Sequence, residues 1–536
     1  MKTIYVDGRV FTGALPLQEA FIVQDGQFIA AGISKDMLAL RDEADQVISL
    51  EGRFVCPGFN DSHMHLLGLG KTMEQCDLAS ATASLAEVQA ALRAFANVHP
   101  EGWILGRGWN QDLFTPSTGI PTRHDLDAVC ADRPICIVRC CGHALSANTC
   151  ALTLLGLDEN TPVPEGGSAE KGPDGKLNGV FLDTAMELVS AGIPPHTRED
   201  LPRLLRSAIR AMNAVGVTSV QTDDFTTLNG VVWQDVIAAY RALEDAGDLT
   251  LRVYEQSQFN TPTELTAFLE AGYKTGWGSP LFRIGPLKLV ADGSLGARTA
   301  YMSTHYADAP DEKGLAIFTR EQLTELLTLA HQSGMQSAVH AIGDGILDDV
   351  LAAYEHAFAR YPREDHRSGV VHIQLTRPDQ LEKVRELSLH AYAQTVFIDY
   401  DSRIVHQRAG EELAATSYAF RTLRQMGVHV SNGTDCPVES PNPLRGLQCA
   451  VTRQPLDFSL PPYRPEECMS VEEALQTYTL EGAHASFEED FKGRIAPGMA
   501  ADFVILDADP FAVRPFDVSK IRVLETYLGG KCVYRV

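Results

Sequence analysis

Apolar positions follow two rhythms along the chain. Over the first fifty residues they come in short alternating runs, broken by Asp7-Gly8 and Asp25-Gly26, the dipeptides of tight hairpin turns. Strands are predicted at 2–6, 10–12, 20–23 and 28–31. The last forty residues repeat the pattern at 501–506, 523–528 and 531–534, with Gly529-Gly530 as a turn. Both ends together predict one small β-sandwich built from residues 1–53 and 489–536.

Between them, over 54–488, short β-branched runs alternate with amphipathic stretches. Strands are predicted at 54–59, 218–222, 251–256, 283–290, 336–340, 369–372, 390–395 and 428–431. Helices are predicted at 198–214, 232–246, 262–271, 320–333, 346–360, 378–386 and 413–425. Eight strands alternating with helices predict an α/β fold, a (β/α)8 TIM barrel. A doubly wound sheet is the alternative. It wants a Gly-rich phosphate loop after its first strand, and none stands there. The gap between the first two strands is far longer than a βα unit. An insertion at about 66–197 fills it, on the catalytic side of a barrel, where it would cap a pocket.

Composition narrows the function classes. The 536 residues include 45 Lys+Arg and 70 Asp+Glu, a net charge of −25, with 45% hydrophobic and 21% charged residues. That balance excludes bulk disorder, collagen and coiled coil. The acidic excess argues against a nucleic-acid or anionic-membrane surface. No apolar run is long enough to span a bilayer, and MKTIYVDGRVF lacks the apolar stretch of a secretion signal. The 11 cysteines form no CxxC pair and read as reduced thiols of a cytoplasmic protein. Asn432-Gly433-Thr434 matches a glycosylation sequon by chance, in a strand-like context.

The chemistry gathers at strand ends. His63 and His65 lie two apart in extended chain, so both imidazoles can face one ion. His340, His372 and Asp435 each stand at the carboxyl end of an apolar run, the face where barrel active sites sit. Each alone could be a hydrogen-bonded strand-end residue. Buried together they need a common partner, and a cation provides one. Lys288 lies within the fourth strand. A buried ammonium there calls for a salt bridge, to Asp292 or another acid, or for carboxylation by carbon dioxide into a metal-bridging carbamate. The residues alone leave both readings open.

Several stretches resemble the amidohydrolase superfamily, and within it the YtcJ-like branch that includes N-substituted formamide deformylases (amidohydrolase family 3). They are Pro57-Gly-Phe-Asn-Asp-Ser-His-Met-His65, Gly106-Arg-Gly-Trp-Asn-Gln-Asp112 and Gly142-His-Ala-Leu-Ser-Ala-Asn148. Further on come Lys288-Leu-Val-Ala-Asp-Gly-Ser-Leu-Gly-Ala-Arg-Thr299, His340-Ala-Ile-Gly-Asp344, Gly433-Thr-Asp-Cys-Pro437 and Gly493-Arg-Ile-Ala-Pro-Gly-Met-Ala-Ala-Asp502. The resemblance implies a distorted barrel and a divalent metal centre of one or two ions. His63 and His65 would hold the more buried ion, His340 and His372 the second. Asp435 would be ligand and proton shuttle, and Lys288 an N6-carboxylated bridge. Deaminases of the superfamily carry a Glu close to the fifth-strand His. Here Ala-Ile-Gly-Asp follows His340, which favours hydrolysis.

Imidazoles and carboxylates suit zinc, and manganese, iron and cobalt take the same donors. The expected reaction is hydrolysis of an amide or formamide C–N bond in a small molecule, by an activated hydroxide with Asp435 as general acid and base. Cyclic amides, carbamates and esters are the alternative substrates. A non-catalytic scaffold of the same fold is the alternative from another class. Trp109, Asp112, His143, Asp292 and Arg298 are candidate substrate contacts. Trp109 could equally be core packing, and Arg298 could pair with Asp292 or Asp311. Self-association into a homo-oligomer is a base-rate expectation for an acidic enzyme of this size.

Overall fold

The computed structural model describes every residue except Met1, Ala44, Thr82, Cys141 and Gly142. The chain forms two compact units, one of residues 1–69 and 198–536, the other of residues 70–197.

The first unit holds a distorted eight-stranded parallel barrel. Its strands are β1 (Phe59–Met64), β2 (Val217–Thr222), β3 (Arg252–Gln258), β4 (Phe282–Val290), β5 (Ser337–Ala341), β6 (Gly369–His372), β7 (His390–Ala393) and β8 (Val430–Asn432). Neighbours pair in sequence order from β1 to β8. The seam between β8 and β1 is closed by single bonds: Asp435 N donates to His63 O at 2.8 Å, and His65 N to Cys436 O at 2.8 Å.

Helices cover the outside by burying one stripe each. The helix Leu201–Ala214 starts with Pro202 in its first turn, where a missing N–H costs nothing. It buries Leu201, Leu204, Leu205, Ala208, Ile209 and Met212, positions that recur at helical spacing. Each fully buried leucine contributes roughly 1.5–3 kcal/mol.

Two predicted elements are corrected. The stretch 54–59 is not the first barrel strand. Phe54–Pro57 pairs with Arg9–Val10 and Phe503–Leu506 in a terminal sheet, and β1 begins two residues later. Pro57-Gly58 makes the break, and a Cβ at Gly58 would sit 2.2 Å from Thr218 Oγ1, so only glycine lets β1 approach β2 here. The single helix expected at 413–425 is two, Val405–Ala414 and Phe420–Gln425, separated by a turn with Tyr418 at φ 54°.

The termini form a five-stranded sheet of Arg9–Val10, Phe54–Pro57, Phe503–Leu506, Val523–Leu528 and Lys531–Arg535. A four-stranded sheet of Thr3–Val6, Ala20–Gln24, Gln27–Gly32 and Gln46–Ser49 comes from the N-terminal stretch alone. Tyr5, Phe21, Phe28, Phe503 and Tyr527 share one apolar core.

The second unit is built on a six-stranded sheet, in the order Gly167–Lys171, Leu177–Asp183, Ala144–Ala147, Ile135–Arg139, Ile104–Trp109 and Gln75–Asp77. The Cys-rich, strand-like sequence at 135–141 forms a strand that ends at Arg139, and Cys141 lies outside the described residues.

Candidate metal centre

The carboxyl ends of the strands bring a set of imidazoles and acids together. His63 is fully buried on β1. Its Nδ1 lies 3.0 Å from Gln256 Oε1. A carbonyl oxygen only accepts, so Nδ1 carries the proton and the Nε2 lone pair faces inward. His372, at the end of β6, is held the same way, with Nδ1 donating to Gln394 Oε1 at 2.8 Å. The two rings meet edge to face, 5.4 Å between centroids. Burial, and then the neighbouring His340, lower the His372 pKa well below its usual range. It is therefore neutral, as a ligand must be.

Asp435 follows β8. Its Oδ1 is 2.9 Å from His65 Nε2 and 3.3 Å from His63 Nε2. Burial would raise this carboxyl, but the imidazoles of His63 and His65 beside it outweigh that and hold the group well below the usual carboxylate range. Both His372 (φ 72°) and Asp435 (φ 57°) have left-handed backbone, which costs a non-glycine residue energy and persists only where the surroundings enforce it. Asp61 supplies part of that enforcement. Its carboxylate accepts from His63 N at 3.3 Å and from Thr434 N at 3.0 Å, tying the His-Met-His turn to the loop after β8. Gly433 passes between them, where a Cβ would stand 2.5 Å from His63 N.

Lys288 Nζ is buried, 3.2 Å from His63 Nε2 and 3.2 Å from Asp223 Oδ2. Sequence reasoning missed Asp223. It directly follows β2, the same strand-end signal that marks His372, but Gln221-Thr-Asp-Asp224 looks like an ordinary acidic turn. Asp223 Oδ1 and His65 Nδ1 approach as an ion pair without hydrogen-bond alignment, so this buried oxygen has no hydrogen-bond partner. Burial raises the Asp223 pKa, but the charges of His65 and Lys288 dominate and lower it. Burial likewise lowers the His65 pKa, and the Asp223 and Asp435 carboxylates more than reverse this, holding it well above the ordinary value.

His340, on β5, lies beside His372 with ring centroids 4.4 Å apart. Its Nε2 donates to Gly293 O at 3.1 Å, leaving Nδ1 as its acceptor nitrogen. Asp292 is fully buried and accepts three backbone amides, from Tyr301 (2.9 Å), Ile342 (3.0 Å) and Gly343 (2.8 Å). It thereby fixes the turn that leaves β5. Arg298 forks onto Asp308, at 3.1 and 2.8 Å, rather than pairing with Asp292 or Asp311.

The other three candidates lie in the second unit. Trp109 is fully buried in a core with Leu78, Leu92 and Ile137. Asp112 pairs with Arg139 Nη2 at 2.7 Å. His143 is exposed, with Nδ1 3.2 Å from Asp183 Oδ1. Gly142, which opens its motif, lies outside the described residues.

The donors fit a divalent cation. His63, His65 and Asp223 each offer an atom, all within 4.8 Å of one another, and so do His63, His372 and Asp435. The amide-fixed imidazoles and the Asp223 oxygen, held only by its ion pair to His65, are the atoms such an ion would satisfy.

A barrel with these donors at its carboxyl mouth has the architecture of metal-dependent hydrolases. An uncharacterized metal-dependent hydrolase from Pyrococcus furiosus superimposes with a TM-score of 0.75 at 29% identity, over 95% of this chain and 100% of that one. A second, from Pyrococcus horikoshii OT3, gives 0.74 at 29% identity, over 96% and 99%. Residues 46–534 match the amidohydrolase family, and the chain belongs to it. It is 31% identical to the amidohydrolase-family protein YtcJ of Bacillus subtilis (strain 168), over 100% of this chain and 99% of that one. It is 26% identical to an N-substituted formamide deformylase of Arthrobacter pascens, over 96% and 95%.

Proposed function

We propose that this protein hydrolyses a C–N bond, of the amide or formamide type, in a small molecule. The observation that carries the reading is the meeting of His63, His65, His372, Asp435 and the Lys288–Asp223 pair at one mouth of the barrel. The Arthrobacter relative, named for formamide deformylation, supports the choice of bond.

The ligands would be His63, His65, His372 and Asp435, joined by His340 through Nδ1 and by Asp223 or an N6-carboxylated Lys288. When bound there, one or two divalent ions, zinc by donor chemistry, supply a Lewis acid that acidifies water and polarises the scissile carbonyl. Gln256 and Gln394 hold their imidazoles in the tautomer that points Nε2 inward. Asp435 takes a proton from the attacking water and delivers it to the leaving nitrogen, with His65 beside it to share the charge. Phe397, parallel to His372 at 5.8 Å, offers an apolar wall to a substrate.

Among the described residues no helix is long and apolar enough to cross a membrane. The described cysteines are free thiols, which supports a cytoplasmic location.

The test is a panel of N-formyl, N-acyl and cyclic amides, carbamates and esters, assayed with zinc- or manganese-loaded protein for amine and acid release. Turnover should be highest on N-formyl or N-acyl substrates. Preference for a cyclic amide, carbamate or ester would reassign the bond. Metal-loaded protein inert toward the whole panel would count against the hydrolase reading.

A further inference from the structure

The opposite mouth of the barrel carries a second imidazole cluster. His390 opens β7, His429 stands just before β8, and His484 lies on the helix Leu480–Ala485. With Arg367 they line a cavity of about 320 Å³. From sequence, His484 reads as a surface or packing residue, because nothing in a helical or loop stretch announces that it lies across from two strand starts.

The rings of His429 and His484 stack, with centroids 3.6 Å apart and planes 13° apart. His390 lies behind, 5.9 Å from His484. His429 Nδ1 is 2.8 Å from Glu481 Oε2. His429, Glu481 and His484 each offer one donor atom, all within 4.8 Å of one another. Two nitrogens here are buried without a hydrogen-bond partner, Nδ1 of His484 and Nδ1 of the fully buried His390. Orphaned buried nitrogens are rare because leaving one unpaired costs free energy.

We propose that His429, Glu481 and His484 form a second transition-metal site, separate from the catalytic centre. Two imidazoles and a carboxylate are donors for zinc, nickel or copper(II). The cations nearby are already paired. Arg424 holds the other oxygen of Glu481 at 3.2 Å, and Arg367 is bound to Asp365 and Glu489. Parallel rings send their lone pairs in parallel, so capture requires one ring to swing. His429, with a side chain 52% exposed, has the room.

Such an ion would clamp the floor of the barrel. Gln221 of β2 and Gln336 donate to the carbonyls of Gly482 and Ala485 at 2.9 Å each, holding the helix across the strand starts. An ion on His429, Glu481 and His484 would tie that helix to β8, next to the seam that no ladder closes.

The experiment is a calorimetric titration of chelator-treated protein with zinc chloride, with melting temperature read in parallel. His429→Ala and Glu481→Gln should each bind one ion fewer per chain than the parent and lose part of the zinc-induced rise in melting temperature, with substrate turnover unchanged. His429 is exposed enough for its truncation to leave the fold intact. The variant His63→Ala/His65→Ala, short of two catalytic ligands, should still bind zinc, and bind one ion fewer on addition of His429→Ala. Unchanged stoichiometry in His429→Ala and Glu481→Gln, or no zinc bound by His63→Ala/His65→Ala, would overturn the proposal. Neither result depends on which bond the catalytic centre hydrolyses.

Discussion

Lys288 and Asp223 form a buried ion pair, Nζ to Oδ2 at 3.2 Å, with side chains 1% and 3% exposed. Breaking such a pair from one side leaves an uncompensated charge in a low-dielectric site. Asp223→Asn should cost metal-free protein about 3–5 kcal/mol. Replacing both residues by apolar side chains of similar volume should restore most of that stability and still abolish turnover. Urea unfolding of the single and double variants checks this. An unchanged midpoint in Asp223→Asn would mean the pair does not bear the charge balance.

Lys288 could satisfy the same site as a carbamate, which would exchange a cation for an anion beside Asp223. The two forms are electrostatically exclusive unless a cation stands between the acids. Intact-protein mass measured with bicarbonate should show one added carbon dioxide only when divalent metal is present. Addition to metal-free protein would contradict the exclusion.

Asp435→Asn keeps the shape and removes the proton acceptor. Turnover should fall roughly 10²–10⁴-fold, the usual worth of a general acid–base group. Circular dichroism should be unchanged. Retained activity would remove Asp435 from the chemistry.

Asp292 accepts three backbone amides around the turn after β5. An asparagine there puts an N–H where an acceptor is needed. Asp292→Asn should weaken metal affinity or activity about 10–100-fold, as loss of an outer-shell partner does. Competition with a chelating dye measures it, and an unshifted affinity together with full activity would argue against the positioning role.

His366 gives the fold an acid-sensitive element. Its Nδ1 accepts from Ser368 N at 3.0 Å, while Nε2 donates to Leu387 O at 3.1 Å. Burial, then the neighbouring His331, push its pKa down to about 4 from the ordinary imidazole value near 6.5. The unfolded chain therefore binds more protons between those two values. Stability from this group is complete above pH ~6.5 and is lost progressively as pH falls toward ~4, on the order of 3 kcal/mol in all. Urea midpoints measured across that window should decline less in His366→Asn.

The barrel was legible because its strands are short apolar runs and its helices have wide apolar stripes. His340, His372 and Asp435 stood out because an ionisable group ends each run. Asp223 did not, since an acid followed by another acid also describes a solvated turn. Only the third dimension sets it against Lys288, 65 positions away. The first strand was misplaced for a related reason. Phe54–Pro57 and β1 are both apolar and nearly contiguous, and which sheet each joins is decided by Phe503–Leu506, far along the chain. The break in 413–425 turns on one left-handed tyrosine that composition does not announce.

The strand Phe54–Pro57 takes Phe503–Leu506 as its antiparallel neighbour. A nascent chain leaving the ribosome must therefore carry an open edge beside its first barrel strand until nearly all of translation is over. Products that stop before residue 503 would leave that edge without its partner, and are expected to aggregate through it.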